Sequence, residues 1–170
     1  MAGLTLGGGF GWLTRRHGLS CDNLRSVDIV TADGELRVAS ETRNPDLFWA
    51  VRGGGGNFGI VNSFEYELHP VGPEVMLVAT FYPAEMAASG LRYFRDFMRE
   101  APDELFALYS LWSMPEGPSF PAEMAGDPVL IFVGVYSGDV EEGERVVEPL
   151  RTFDEPLVDL SGPVSWLDVQ

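Results

Sequence analysis

Apolar and polar positions alternate along Val27-Asp28-Ile29-Val30-Thr31, the period of a strand with one buried face. Asp33-Gly34 follows as a two-residue hairpin signal, and Glu35-Leu36-Arg37-Val38 reads as the returning partner. Asn44-Pro45-Asp46 supplies an N-cap residue, a first-position proline and a first-turn acid, so a helix is expected over Leu47 to Arg52, stopped by Gly53. Ile60 to Leu68 then reads as a strand with Phe64, Tyr66 and Leu68 on one face. Upstream, Gly7-Gly8-Gly9-Phe10-Gly11 holds four glycines in five residues and suits a loop. Met1 to Gly7 enters this buried-looking glycine segment with no lead-in. A short helix from Trp12 to His17 follows, with Gly18 as its left-handed stop.

The rest of the chain has a different rhythm. Strands are expected at Val75 to Tyr82, Leu105 to Trp112 and Val129 to Tyr136, the last nearly all apolar and therefore interior. Pro83 to Glu100 is amphipathic, with Ala87, Leu91, Phe94 and Met98 on one stripe. Gly117 to Gly126 is a proline-rich loop, and Asp139 with Glu142 opens a helix running to about Phe153. The resulting order β-α-β-β-α lacks one strand of a layered sheet, and none is evident before Gln170. The expected class is α+β.

Charge divides the chain in the same way. All 11 basic residues are arginine, against 26 acidic residues, for a net charge of -15. Without lysine there is no Walker A phosphate loop. The acidic excess argues against a nucleic-acid partner or an anionic membrane surface, and the longest apolar runs are too short to span a bilayer. Residues 1–72 hold 6 Arg, 8 acidic residues and 13 of the 20 glycines; residues 73–170 carry a net charge of -13. A boundary is therefore expected near Val71-Gly72-Pro73, giving domains 1–72 and 73–170. Cys21 is the only cysteine, so no internal disulfide forms, and no signal peptide is visible; the expected location is cytoplasmic.

Gly54-Gly55-Gly56-Asn57-Phe58-Gly59 matches G-x-G-x-x-G. A dinucleotide fingerprint needs strand, loop, then helix, whereas here a helix precedes and a strand follows. The loop reads instead as bare backbone that a ligand or another chain segment can approach, or as a packing loop. In Gly7 to Gly11, consecutive N–H groups suit an anion nest that needs no lysine. Singly, Cys21 reads as a buried packing residue, His17 as a cap-region cation or satisfied polar group, His69 as a surface residue and Asp22 as a loop organiser or ribose contact. The two histidines and one cysteine lack metal-ligand spacing.

Taken in order, these segments resemble a known family. Gly3-Leu4-Thr5-Leu6-Gly7-Gly8-Gly9-Phe10-Gly11-Trp12 is similar to the flavin-loop signature of the FAD-linked oxidases of the berberine bridge enzyme-like group, which have the vanillyl-alcohol-oxidase (PCMH-type) FAD-binding fold. Arg16-His17-Gly18-Leu19-Ser20-Cys21-Asp22-Asn23-Leu24, Val30-Thr31-Ala32-Asp33-Gly34, Asn44-Pro45-Asp46-Leu47-Phe48-Trp49-Ala50 and Arg52 to Val61 continue the likeness through residues 2–72.

The resemblance implies that 1–72 is the second half of the FAD-binding domain. It implies that 73–170 is an incomplete substrate domain, an antiparallel sheet plus helices that covers the flavin ring. Its implied cofactor contacts are Gly3, Leu4, Thr5, Gly7, Gly8, Gly9, Gly11, Asp22, Asn23, Gly59 and Ile60. Trp112 is an implied substrate contact, against a core-packing alternative. The implied cofactor is FAD, the partners a small organic substrate and dioxygen, and the reaction a hydride transfer to flavin N5. The family's histidine and cysteine flavin anchors lie upstream of the position of Gly3, and its base lies beyond Gln170. No catalytic base is therefore expected in this chain, and both ends read as cut. The alternative is a non-catalytic remnant or α+β interaction module without flavin.

Overall fold

A computed structural model describes residues 1–170. The architecture is α+β, in two units, Met1–Pro70 and Val71–Gln170, each built on its own antiparallel sheet. The first unit contains α1 (Ala2–Leu6), α2 (Thr14–His17), β1 (Leu24–Val30), β2 (Leu36–Ser40), α3 (Pro45–Val51) and β3 (Ile60–Tyr66). Its strands lie in the order β2-β1-β3. Leu24, Val27 and Ile29 of β1 all face the core, although 24 and 27 differ in parity. A register shift between Leu24 and Ser26 against β3 reconciles them. Phe48 and Val51 of α3 close this core, with Phe64 and Tyr66 packed beside it.

Local chemistry alters several expectations. Residues 2–6, which the sequence left without an element, are helical, and only Thr5 among them is buried. The hairpin connection is Ala32-Asp33-Gly34, one residue longer than Asp33-Gly34: Thr31 N–H donates to Glu35 O (3.1 Å) and Gly34 N–H to Thr31 O (2.9 Å). Gly34 supplies the positive φ of 79° that such a three-residue loop needs. Arg37 grips the Asp33 carboxylate through two nitrogens (2.8 and 2.7 Å), and chiefly this holds that carboxyl well below the usual range. Asn44 stands at the N-cap of α3, yet its amide donates to Val38 O (2.8 Å) instead of capping. Helix α2 begins at Thr14, and Gly18 stops it with φ 77° and ψ -172°, outside the left-handed helical well. Leu68 lies beyond β3 and is exposed.

The second unit contains β4 (Glu74–Pro83), α4 (Ala87–Glu100), β5 (Leu105–Ser113), β6 (Pro128–Tyr136), α5 (Val140–Arg151), β7 (Val158–Asp159) and β8 (Gly162–Ser165). The sheet runs β5-β6-β4-β7, with β8 also paired to β4, so β6 is interior. The strand missing from the sequence reading is thus supplied by two short edge strands. Gly162 and Pro163 hid β8, because both residues are poor strand formers and are tolerated only at an edge.

On one sheet face Met76, Val78, Tyr82, Leu105, Leu130 and Phe132 pack under α4 and α5. Helix α4 crosses β6 at Gly90, where a Cβ would come within 2.5 Å of Leu130. Its buried stripe therefore runs through Gly90, Tyr93, Phe94, Phe97 and Met98, and Leu91 is exposed. Glycine at 90 lowers the apparent hydrophobicity of the true stripe, which is why Leu91 looked central. The last carbonyls of α5 are capped by phenols: Tyr82 Oη donates to Leu150 O (2.7 Å) and Tyr93 Oη to Pro149 O (2.8 Å). Burial pushes both phenols up, keeping them donors.

At the other end of α5, Asp139 accepts the Glu142 N–H (3.0 Å). Asp139→Ala is expected to cost about 1 kcal/mol, read as a lower urea midpoint at unchanged slope. No helix is long and apolar enough to cross a membrane.

Candidate functional site

The glycine loop after α1 is carried on the Ser20–Asn23 turn. Ser20 N–H donates to Gly9 O (2.8 Å) and Cys21 N–H to Gly8 O (2.9 Å). Thr5 is fully buried, and its hydroxyl meets both Ser20 Oγ (2.8 Å) and Tyr66 Oη (2.7 Å). This hydroxyl cluster ties α1 to the turn and to β3. Gly8 and Gly9 have φ of 106° and 88°, and a Cβ on Gly9 would stand 2.3 Å from that of Ser20. Their glycines are explained by the chain's own packing.

The neighbouring glycines are different. A Cβ on Gly3 or Gly11 would meet nothing within 4 Å, and one on Gly7 would meet only carbonyls of α1. None of the three has a positive φ. Nothing in this chain requires glycine at 3 or 11, whereas the Gly3 carbonyl, 3.3 Å away, would crowd a Cβ at 7; the bare side of the loop at 3 and 11 is open space next to exposed Leu4. The expected nest over Gly7 to Gly11 is not present as a continuous set. Gly7, Gly8 and Gly11 N–H groups donate to Gly3 O, Thr5 O and Thr14 Oγ1.

Asp22 and Asn23 organise the turn. Asp22 Oδ2 accepts the Leu19 N–H (2.8 Å), and the Asn23 amide donates to His17 O and Leu19 O, both at 2.9 Å. Just before them Cys21 is buried, and burial first, then the Asp22 charge, pushes its thiol up. A thiol held protonated in this way is a packing group rather than a nucleophile.

The second glycine loop runs from α3 to β3, so the element order excludes a helix N-terminus facing a pyrophosphate. Gly59 has φ 149° and sits against Val30, where a Cβ would lie 2.3 Å from the carbonyl oxygen. Ile60 opens β3 with its side chain exposed. Helix α1 packs beside the turn at residues 55–58, so the two glycine segments adjoin. Of the candidate residues in this unit, Thr5, Gly8, Gly9, Asp22, Asn23 and Gly59 are engaged in its own packing. Gly3, Leu4, Gly7, Gly11 and Ile60 present exposed surface beside them.

One association escaped the sequence reading. His17, read as a cap-region cation or a satisfied polar group, and His69, read as a surface residue, stack with ring centroids 3.9 Å apart and planes 8° from parallel. Burial, then His69 and Arg16, holds the His17 imidazole below its ordinary value, which disfavours the cation there. A separation of 52 positions along the chain left no local signal of the pair. No group of three or more His, Cys, Asp or Glu is placed to hold a metal ion.

In the second unit Trp112 lies on the sheet face away from α4 and α5, 65% exposed, so it is not a core residue. With Ala84, Leu111, Ser113, Pro128 and Val129 it lines an open depression of about 610 Å³. Leu108 and Ser110 share its face by strand parity. Further along this face, Phe81, Met114, Val129 and Ile131 are covered by Phe120, Met124 and Leu157.

No family model matches the sequence. Curated proteins do: an FAD-linked oxidoreductase of Dictyostelium discoideum is 31% identical over 172 residues, covering 100% of this chain and 35% of that protein. A glucooligosaccharide oxidase of Sarocladium strictum is 32% identical over 153 residues, covering 88% of this chain and 28% of that protein. Among solved structures, BBE-like 1 of Physcomitrella patens superposes with a TM-score of 0.78 at 26% identity, covering 98% of this chain and 34% of that one. The chain spans roughly a third of the length of these relatives.

Proposed function

This chain belongs to the FAD-linked oxidoreductases of the berberine bridge enzyme-like group, and on that premise we propose that its first unit forms part of an FAD cradle and its second part of a substrate wall. FAD held along Gly3, Leu4, Gly7, Gly11 and Ile60 would supply the hydride-accepting chemistry at N5, with dioxygen as the expected electron acceptor. The substrate would be a small organic molecule with an oxidisable alcohol, and the kinship to a glucooligosaccharide oxidase favours a sugar.

The observation that carries this reading is the open side of the glycine loop. Gly3 and Gly11 are free of any steric demand from this chain, and with exposed Gly7 they border Gly8 and Gly9, whose backbone is locked in place. A rigid loop with a bare face fits a flat, bulky dinucleotide lying along main chain. Its contacts would be backbone and shape, not a lysine clamp, in line with the chain's lack of lysine. Asp22 and Asn23 hold the turn beneath the loop. Trp112 offers a flat, exposed apolar surface on which a sugar ring can stack. No residue of the chain is assigned as the catalytic base.

Titration of the purified protein with FAD, followed by quenching of flavin fluorescence, tests the cradle. Gly11→Leu is expected to weaken FAD binding about tenfold or more, a change of about 1.4 kcal/mol or more, with thermal stability unchanged. Equal affinity in the variant and the parent protein, or no binding by either, would overturn the cradle.

A further inference from the structure

The His17–His69 stack is joined to a third residue. His69 Nε2 lies 2.5 Å from Asn23 Oδ1, while the Asn23 amide holds His17 O and Leu19 O. The Asn23 carbonyl also accepts the Glu67 N–H (2.8 Å). One asparagine thereby ties together the end of α2, the Ser20–Asn23 turn and the chain that leaves β3.

His17 Nε2 is buried without a hydrogen-bond partner. As a bare lone pair this nitrogen is tolerated, but a proton there would be a buried donor with no acceptor. Protonating both rings would also set two positive charges face to face at 3.9 Å.

We propose that His17, His69 and Asn23 form an acid-sensitive clasp. Protonation of both rings drives the stack apart, frees the Glu67–Pro70 chain from Asn23 and slackens the turn that carries the glycine loop. Arg16, beside His17 on α2, adds a further positive charge against the second proton. The nearby carboxylates are occupied elsewhere: Asp22 accepts the Leu19 N–H, and Glu67 pairs with Arg25.

The sign follows from the lowered proton affinity of folded His17. The unfolded chain binds the proton more tightly, so the clasp contributes fully above the ordinary histidine value of 6.5. Its contribution is lost as pH falls through the lower folded value. Because Ser20 and Cys21 hold Gly9 and Gly8, opening the clasp would loosen the loop itself. The clasp acts whether or not flavin binds.

Hydrogen exchange of the whole chain, read by mass spectrometry at about pH 7.5 and about pH 5.5 and corrected for intrinsic rates, tests it. Segments 19–24 and 66–70 are expected to exchange about tenfold faster at the lower pH, with β4 and β6 unaffected. His17→Phe keeps a stacked ring that takes no proton, and His69→Gln keeps a donor for Asn23 with one charge fewer. His17→Phe is expected to abolish the difference and His69→Gln to reduce it several-fold, and either alone decides the matter should the other fail to fold. A parent protein without the pH difference, or a folded variant that retains it in full, would overturn the clasp.

Discussion

Phe132→Ala is expected to destabilise the second unit by about 3–5 kcal/mol. Phe132 is fully buried in the middle of the interior strand, surrounded by the rings of Tyr82, Phe94, Tyr109 and Phe153 with centroids 5.5 to 6.3 Å away. Those rings are anchored from three elements and from each other. Tyr82 is held by Leu150 O and Tyr109 by Ala87 O (2.9 Å), so they cannot slide inward to fill the space. A cavity that neighbours cannot collapse into carries both the lost transfer energy and the lost dispersion contacts. Hydrogen exchange of β4 and β6 peptides measures the loss where it occurs, with the first unit as internal control. A cost under about 1 kcal/mol would mean that the aromatic cluster repacks freely.

Gly9→Val is expected to cost about 2–5 kcal/mol and to detach the glycine loop from its turn. Two penalties add. Valine is strained at φ 88°, and its Cβ would sit 2.3 Å from the Ser20 Cβ and 3.3 Å from Leu4 O. Backbone surrounds the position, so relief requires the loop to move and the hydrogen bonds from Ser20 and Cys21 to break. Exchange protection at Ser20 and Cys21 reports this directly. The contrast with Gly11→Leu is informative: the first substitution is expected to disrupt the protein without any ligand, the second to disturb only what lies against the loop. Retention of protection at Ser20 and Cys21 in Gly9→Val would show that the loop is not held as the structure places it.

Much of the fold was written in local patterns. The alternation at 27–31, the N1 proline of α3, the apolar run of β6 and the Asp139 cap each act within a few residues, and each appears at or near its expected place. Where local reasoning failed, a distant partner had intervened. Gly90 replaced Leu91 on the buried stripe because Leu130 of β6 leaves no room for a side chain. Short β8 exists because β4 offers it an edge, not because Gly162 and Pro163 favour strand. The Asn44 side chain turned from its helix to Val38 O.

The candidate site divides in the same way. Glycine spacing marked the loop, and its ordered setting pointed to an FAD-linked kinship that sequence relatives and structural neighbours support. Spacing was silent on which glycines serve the chain's own packing and which face open space, since both kinds look identical in sequence. Trp112, undecided between core and surface, was settled by strand parity in a sheet whose helices cover only one face.

The sequence by itself determined the longer elements, the two-part division of charge and glycine, and the family kinship, because propensity, capping and motif spacing are short-range properties of the chain. Only the tertiary structure decided that Thr5 joins Ser20 and Tyr66, that Gly9 has no room for a Cβ, and that His17 meets His69 across Asn23. Those contacts arise where segments far apart in sequence are pressed together by burial of a shared core, and no local pattern records which segments will meet.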